Sequence, residues 1–236
     1  MLQQLNLNFK QNKENNQNKI DTSFQNLSDT LPKTNIIPSG SDTISNVKDM
    51  RKLKFKPISL PSKYNNLLGK LPNNFKLLLW GAPGHGKSSL ALILSNDLAK
   101  KFKTIYISAE ESLNSATLSS RIKRFKANAK NLNFNDTNDP DVIEKLINEQ
   151  DPKFIVIDSI NVIAGKIEPI INLMMKYNTI GFIIIAQATK NHKNYSGLGT
   201  LAHAVDIVIN IKNGEAIAEK NRYAQLGNMI VQGVKL

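Results

Sequence analysis

Residues Phe75-Lys76-Leu77-Leu78-Leu79-Trp80 run straight into Gly81-Ala82-Pro83-Gly84-His85-Gly86-Lys87-Ser88-Ser89. The first part is almost continuously apolar, as a strand buried on both faces is. The second fits G-x-x-x-x-G-K-[ST], with Gly81, Gly86, Lys87 and Ser88 at the required spacing. Glycines let the backbone curl so that several N–H groups converge on an anion. The helix expected from Lys87 onward turns its positive end to the same point. Gly81, Ala82, Pro83, Gly84, His85, Gly86, Lys87, Ser88 and Ser89 are therefore the expected contacts of a nucleoside triphosphate, ATP. The Lys87 ammonium suits the β- and γ-phosphates, and the Ser88 hydroxyl suits Mg²⁺.

Outward from this loop, apolar strands alternate with amphipathic helices. A helix is expected over about 87–101, a strand over Thr104–Ser108, and a basic helix over about 113–126. The polar stretch 128–139 reads as a loop. A helix follows at 141–149, then a strand at Phe154–Asp158, a helix near 168–177 and a wholly apolar strand at Gly181–Gln187. A short helix near 200–205 and strands near 206–212 and 216–220 close the pattern. This order predicts a three-layer α/β/α domain on a mostly parallel sheet, with an antiparallel extension at its end.

Upstream the composition changes. Asn and Gln fill 14 of the first 50 positions and no helical or strand period persists. Such a segment buries too little apolar surface to offset its ordering entropy. Residues 1–52 are expected to form a disordered tail and basic linker, and 53–236 the folded domain. Ile58, Leu60, Tyr64, Leu67 and Leu68 are expected to anchor the approach to that domain. The chain of 236 residues has a formal net charge of +12, which favours a polyanionic partner such as DNA. It contains no cysteine, which excludes disulfides, Cys-type zinc sites and a thiol nucleophile. No apolar run reaches membrane-spanning length and no secretory pattern opens the chain, so a cytoplasmic, soluble protein is expected.

Further candidates stand at strand ends, where open α/β sheets bind their ligands. Asp158 ends an apolar strand, the place of the second Mg²⁺-side carboxylate. Glu110 and Glu111 follow the 104–108 strand and come near the phosphates if that strand adjoins the 75–80 strand. One of them would activate the attacking water. Gln187 ends its strand with an uncharged amide suited to sensing the γ-phosphate. The loop behind it offers Lys190, Lys193 and Tyr195, a set suited to a DNA backbone and a stacked base. Lys220 and Arg222 form a compact cationic cluster, read either as surface charge or as cations for a neighbouring subunit's γ-phosphate.

In this order the pieces resemble the RecA-like ATPases, and among them the RadA (Sms) DNA-repair group and the KaiC and DnaB groups. The resemblance is carried by GAPGHGKSSLAL from Gly81, IYISAEES from Ile105, FIVIDSI from Phe154, ATK from Ala188, LAHAVDIVI, and AEKNRYAQLGN. It implies that Glu110 is the catalytic base, that Gln187 is the sensor, and that Lys220 and Arg222 act between subunits of a ring or filament. It implies a DNA-contacting role for the loop after Gln187; a helicase or recombinase is a further expected partner, one that the tail and basic surface would tether. KNRYA has Ala224 where the RadA motif has Gly, and without cysteine the chain has no RadA-type zinc finger. A minimal ATPase core serving recombination, repair or replication is expected. The alternative is an ATP-dependent interaction module that hydrolyses slowly and has no direct DNA role.

Overall fold

The computed structural model describes residues 46–52, 54–165, 167–188, 199–231 and 233. The expected tail, up to residue 45, and the candidates Lys190, Lys193 and Tyr195 lie outside the described residues. Eight strands form one sheet: β1 (Lys76–Gly81), β2 (Thr104–Ile107), β3 (Leu132–Asn135), β4 (Phe154–Ile157), β5 (Gly181–Gln187), β6 (Ile207–Lys212), β7 (Glu215–Asn221) and β8 (Asn228–Ile230). Their order is β3-β2-β4-β5-β1-β6-β7-β8. All neighbours from β3 to β6 run parallel, and β7 and β8 extend the sheet antiparallel.

The helices are α1 (Val47–Met50), α2 (Asn65–Leu68), α3 (Lys87–Ala99), α4 (Ala116–Arg124), α5 (Pro140–Gln150), α6 (Ile167–Lys176) and α7 (Gly199–Ala204). Side-chain alternation along the strands divides the core in two. Leu77 and Leu79 of β1 pack with Leu90, Leu94 and Leu98 of α3 and with Tyr64 and Leu67. Leu78 and Trp80 face the other way, toward Ile143 and Ile147 of α5, Ile170 and Leu173 of α6 and Leu201 of α7. Each such leucine, fully buried, contributes roughly 1.5–3 kcal/mol. The result is the three-layer α/β/α domain that the alternation of strands and helices predicts.

Two expectations need correction. Residues 128–139 do not simply loop out, because Leu132–Asn135 pairs with β2 as the edge strand β3. The Phe134 ring packs against Tyr106 at 5.3 Å, while Asn133 and Asn135 supply the polarity that hides a four-residue edge strand in the sequence. Nor does β2 adjoin β1, since β4 and β5 lie between them. The β2 end is nonetheless level with the β4 end, Ile107 pairing with Ile157. Among the described residues no helix is long and apolar enough to cross a membrane.

Candidate functional site

At the carboxyl end of β1 the chain turns through Gly81, Gly84 and Gly86, with φ of 151°, 80° and 106°. At Gly81 glycine is obligatory. A Cβ there would lie 2.2 Å from the Ile211 carbonyl oxygen of the adjoining β6. Gly86 is the left-handed N-cap of α3 and supplies no side chain to the first helical N–H groups. Those donors remain available to an anion. The Lys87 ammonium is buried and donates to the Ala82 carbonyl at 2.9 Å, inside the curl of the loop. Burial lowers its pKa, against the opposing pull of Asp158 and Glu110. Phosphate oxygens would replace the Ala82 carbonyl as its acceptors.

Ser88 and Asp158 meet above the sheet, the Ser88 hydroxyl donating to Asp158 Oδ1 at 3.1 Å. The other carboxylate oxygen accepts from Tyr106 OH at 2.6 Å. Burial raises the Asp158 pKa, with the Tyr106 and Ser88 hydrogen bonds opposing it. Two hard oxygens facing each other beside a phosphate loop fit Mg²⁺, which takes one or two protein oxygens and completes its shell with phosphate and water. No group of three or more His, Cys, Asp or Glu side chains arranged for a metal occurs among the described residues.

The two glutamates after β2 have different partners. Glu110 Oε1 accepts from Gln187 Nε2 at 2.9 Å and from the Ser159 hydroxyl. Its backbone N–H donates to the Asp158 carbonyl at 3.2 Å. Glu111 is held by the guanidinium of Arg121 through two bonds, at 3.0 and 3.1 Å. Thus Glu110 is gathered with Asp158, Ser159 and Gln187, while Glu111 ties the β2 end to α4. Among the described residues Glu110 Oε2 has no hydrogen-bond partner, so it is open to a water.

Lys220 and Arg222 are not brought to the loop of their own chain. Through β6, Lys220 stands level with Leu78, midway along β1 and short of the turn. Three residues of strand separate that level from Gly81, about 10 Å at strand rise. The Lys220 ammonium caps the end of α7, donating to the carbonyls of Ala202 at 2.8 Å and Val205 at 2.5 Å. Arg222 pairs with Asp206 at 3.1 Å, its side chain 56% exposed. Between them Asn221 joins the turn to α2, donating to the Leu67 and Leu68 carbonyls and accepting from Tyr223 N–H. Ala224 lies so close to Gly69 that a Cβ on the glycine would sit 2.5 Å from its methyl.

Three contributors are not evident from the sequence: Tyr106, Ser159 and Asn161. Tyr106 sits mid-strand among apolar residues and looks like core; only the tertiary fold aims its hydroxyl at Asp158. Ser159 stands within FIVIDSI, and its adjacency to Asp158 is the one signal that could have marked it. Asn161 stands in the short turn Ile160–Val162, which no periodicity marks.

The family model of the ATPase family associated with various cellular activities (AAA) matches residues 77–211. A DNA repair protein RadA from Aquifex aeolicus is 29% identical over 187 residues, covering 71% of this chain and 41% of its own length. The RadA of Campylobacter jejuni is 30% identical over 177 residues, covering 66% and 39%. The chain thus spans about two fifths of the length of these relatives. Among solved structures, a KaiC-like protein of Pyrococcus horikoshii superposes with a TM-score of 0.59 at 17% identity, over 75% of this chain and 99% of that one. The flagellar accessory protein FlaH of Methanocaldococcus jannaschii gives 0.55 at 13% identity, over 72% and 90%. These likenesses show the RecA-like fold.

Proposed function

The chain belongs to the ATPase family associated with various cellular activities (AAA), and from that premise we propose that it hydrolyses Mg²⁺-ATP in the service of DNA recombination, repair or replication. The observation that carries the reading is the gathering of Glu110, Asp158, Ser159 and Gln187 beside the Gly81–Ser89 loop. The loop N–H groups and Lys87 hold the β- and γ-phosphates. Ser88 and Asp158 are the residues that would hold Mg²⁺, which when bound neutralises charge developing on the phosphate oxygens. Glu110 Oε2 takes a proton from water as the water oxygen bonds to the γ-phosphorus. The bond from that phosphorus to the bridging oxygen breaks, and ADP leaves with the electron pair. Gln187 Nε2 holds the carboxylate in line.

Lys220 and Arg222 serve a neighbouring subunit's nucleotide in a ring or filament. Their distance from the loop of their own chain supports a role in trans. The net positive charge and the names of the RadA relatives support DNA as the partner, with Lys190, Lys193 and Tyr195 as its contacts. The test is ATP turnover by the full chain and by Lys87→Ala, each with and without single-stranded DNA. Turnover that requires Lys87 and rises with DNA supports the reading. Lys87-dependent turnover indifferent to DNA favours an ATP-dependent interaction module, and turnover unaffected by Lys87→Ala overturns the site assignment.

A further inference from the structure

Asn161 follows Asp158 and Ser159 on the turn Ile160–Val162. Its Oδ1 accepts the backbone N–H of Gln187 at 2.8 Å. The same oxygen lies 3.3 Å from the Ser159 hydroxyl. Each of these two residues also touches Glu110 Oε1, Gln187 through its side-chain amide and Ser159 through its hydroxyl. Ser159 has one hydroxyl proton, and the shorter contact gives it to Glu110. One amide oxygen therefore pins the end of β5 to the turn after β4. Those are the two platforms from which a single glutamate oxygen is held. The Asn161 Nδ2 has no partner among the described residues, so the side chain acts through its oxygen.

We infer that Asn161 is a positioning residue for Glu110: by fastening the backbone of Gln187 to the turn that follows Ser159, it sets where the carboxylate stands relative to the γ-phosphate. The inference rests on the reading of Glu110 as the base. The β5 end stays paired to β1 at Gly81, but without the tie from Asn161 the Ser159 turn can move relative to it, and the two holders of Oε1 lose their fixed spacing. A misplacement of about 1 Å at a reacting group lowers a rate on the order of a hundredfold. The residue itself is exposed and contributes no apolar packing, so its loss leaves the fold intact.

The experiment measures kcat, KM and ATP affinity for the full chain carrying Asn161→Leu or Asn161→Asp, beside wild type and Lys87→Ala. Asn161→Leu, similar in size but without an acceptor, is expected to lower kcat about ten- to a hundredfold, with ATP affinity changed less than about twofold. Asn161→Asp keeps the Oδ1 acceptor and recovers most of the rate. In a Glu110→Gln background, single-turnover hydrolysis falls no further when Asn161→Leu is added, because both changes act on one group. Wild-type kcat in Asn161→Leu, while Lys87→Ala is dead, overturns this inference and leaves the ATPase reading standing. So does a full additional loss on top of Glu110→Gln. Absence of any Lys87-dependent turnover in wild type overturns both.

Discussion

Gln187 Nε2 donates to Glu110 Oε1 at 2.9 Å, although β5, which ends in Gln187, and β2, which Glu110 follows, are separated by β4. The contact spans the middle strand above its carboxyl end, where Asp158 and Ser159 leave β4. A side chain from each of three neighbouring strand ends thus meets at one point. Removing the amide in Gln187→Ala deletes a charge-assisted hydrogen bond, of the kind worth about 1.5–3 kcal/mol. Turnover is expected to fall about ten- to a hundredfold while ATP affinity holds, which steady-state kinetics and equilibrium binding would separate. Loss of ATP affinity instead would place Gln187 in binding.

Much of this site could be read from the chain. The loop 81–89 follows from residue types at fixed spacing, and Asp158 from an apolar run ending in a carboxylate. Glu110 and Glu111 could not be told apart from the residues alone. They differ only in tertiary partners, and the Arg121 that claims Glu111 is ten residues away on α4. The strand order was equally hidden, because parallel strands are joined through helices and carry no local mark of their neighbours. Edge strands β3 and β8 escaped because short, polar-laced segments give no period to count.

A second carboxylate matters to stability rather than chemistry. Asp97 on α3 is nearly buried and accepts from Tyr64 OH at 2.9 Å, with Lys63 at 2.8 Å and Lys100 at 2.6 Å. Burial alone would raise its pKa, but the hydrogen bonds from Lys100, Lys63 and Tyr64 outweigh it and hold the carboxyl below its ordinary value. A depressed folded-state pKa contributes stability above the unfolded value and loses it as pH falls through the folded one. Asp97→Asn should therefore destabilise by about 1–2 kcal/mol at pH 7, the exposed lysine ends reducing the figure. The deficit should begin to shrink once pH falls below the unfolded-state value, because the unfolded chain then takes up a proton that the folded carboxylate resists. Denaturant unfolding at pH 7 and pH 3 would check this, and an equal deficit at both would contradict it.

The distance of Arg222 from its own phosphate loop leads to a complementation test. Lys87→Ala lacks a working loop and Arg222→Ala lacks the supplied cation. Each alone should be nearly inactive. Mixed one to one in a closed ring, random assembly makes about one interface in four whole, so roughly a quarter of wild-type turnover should return. No recovery on mixing, with assembly verified by particle mass, would argue against a role in trans.

Lys190 and Lys193 carry the DNA proposal. Replacing both with Ala should weaken single-stranded DNA binding and lower the slope of log affinity against log salt by about 0.7 for each phosphate no longer neutralised. ATP hydrolysis without DNA should change little. Titrations at several salt concentrations would show the effect. An unchanged slope would contradict the assignment of these two lysines as DNA contacts.

In the proposed reaction Glu110, not Glu111, activates the water. The most direct test is ATP hydrolysis and ATP binding measured side by side for Glu110→Gln and Glu111→Gln. Glu110→Gln is expected to bind ATP as wild type does and to lose about 10²–10⁴-fold in turnover, the range for a general base. Glu111→Gln, which weakens only the tie to Arg121, should keep turnover within a few fold. Wild-type turnover in Glu110→Gln, or a collapse confined to Glu111→Gln, would rule Glu110 out as the base.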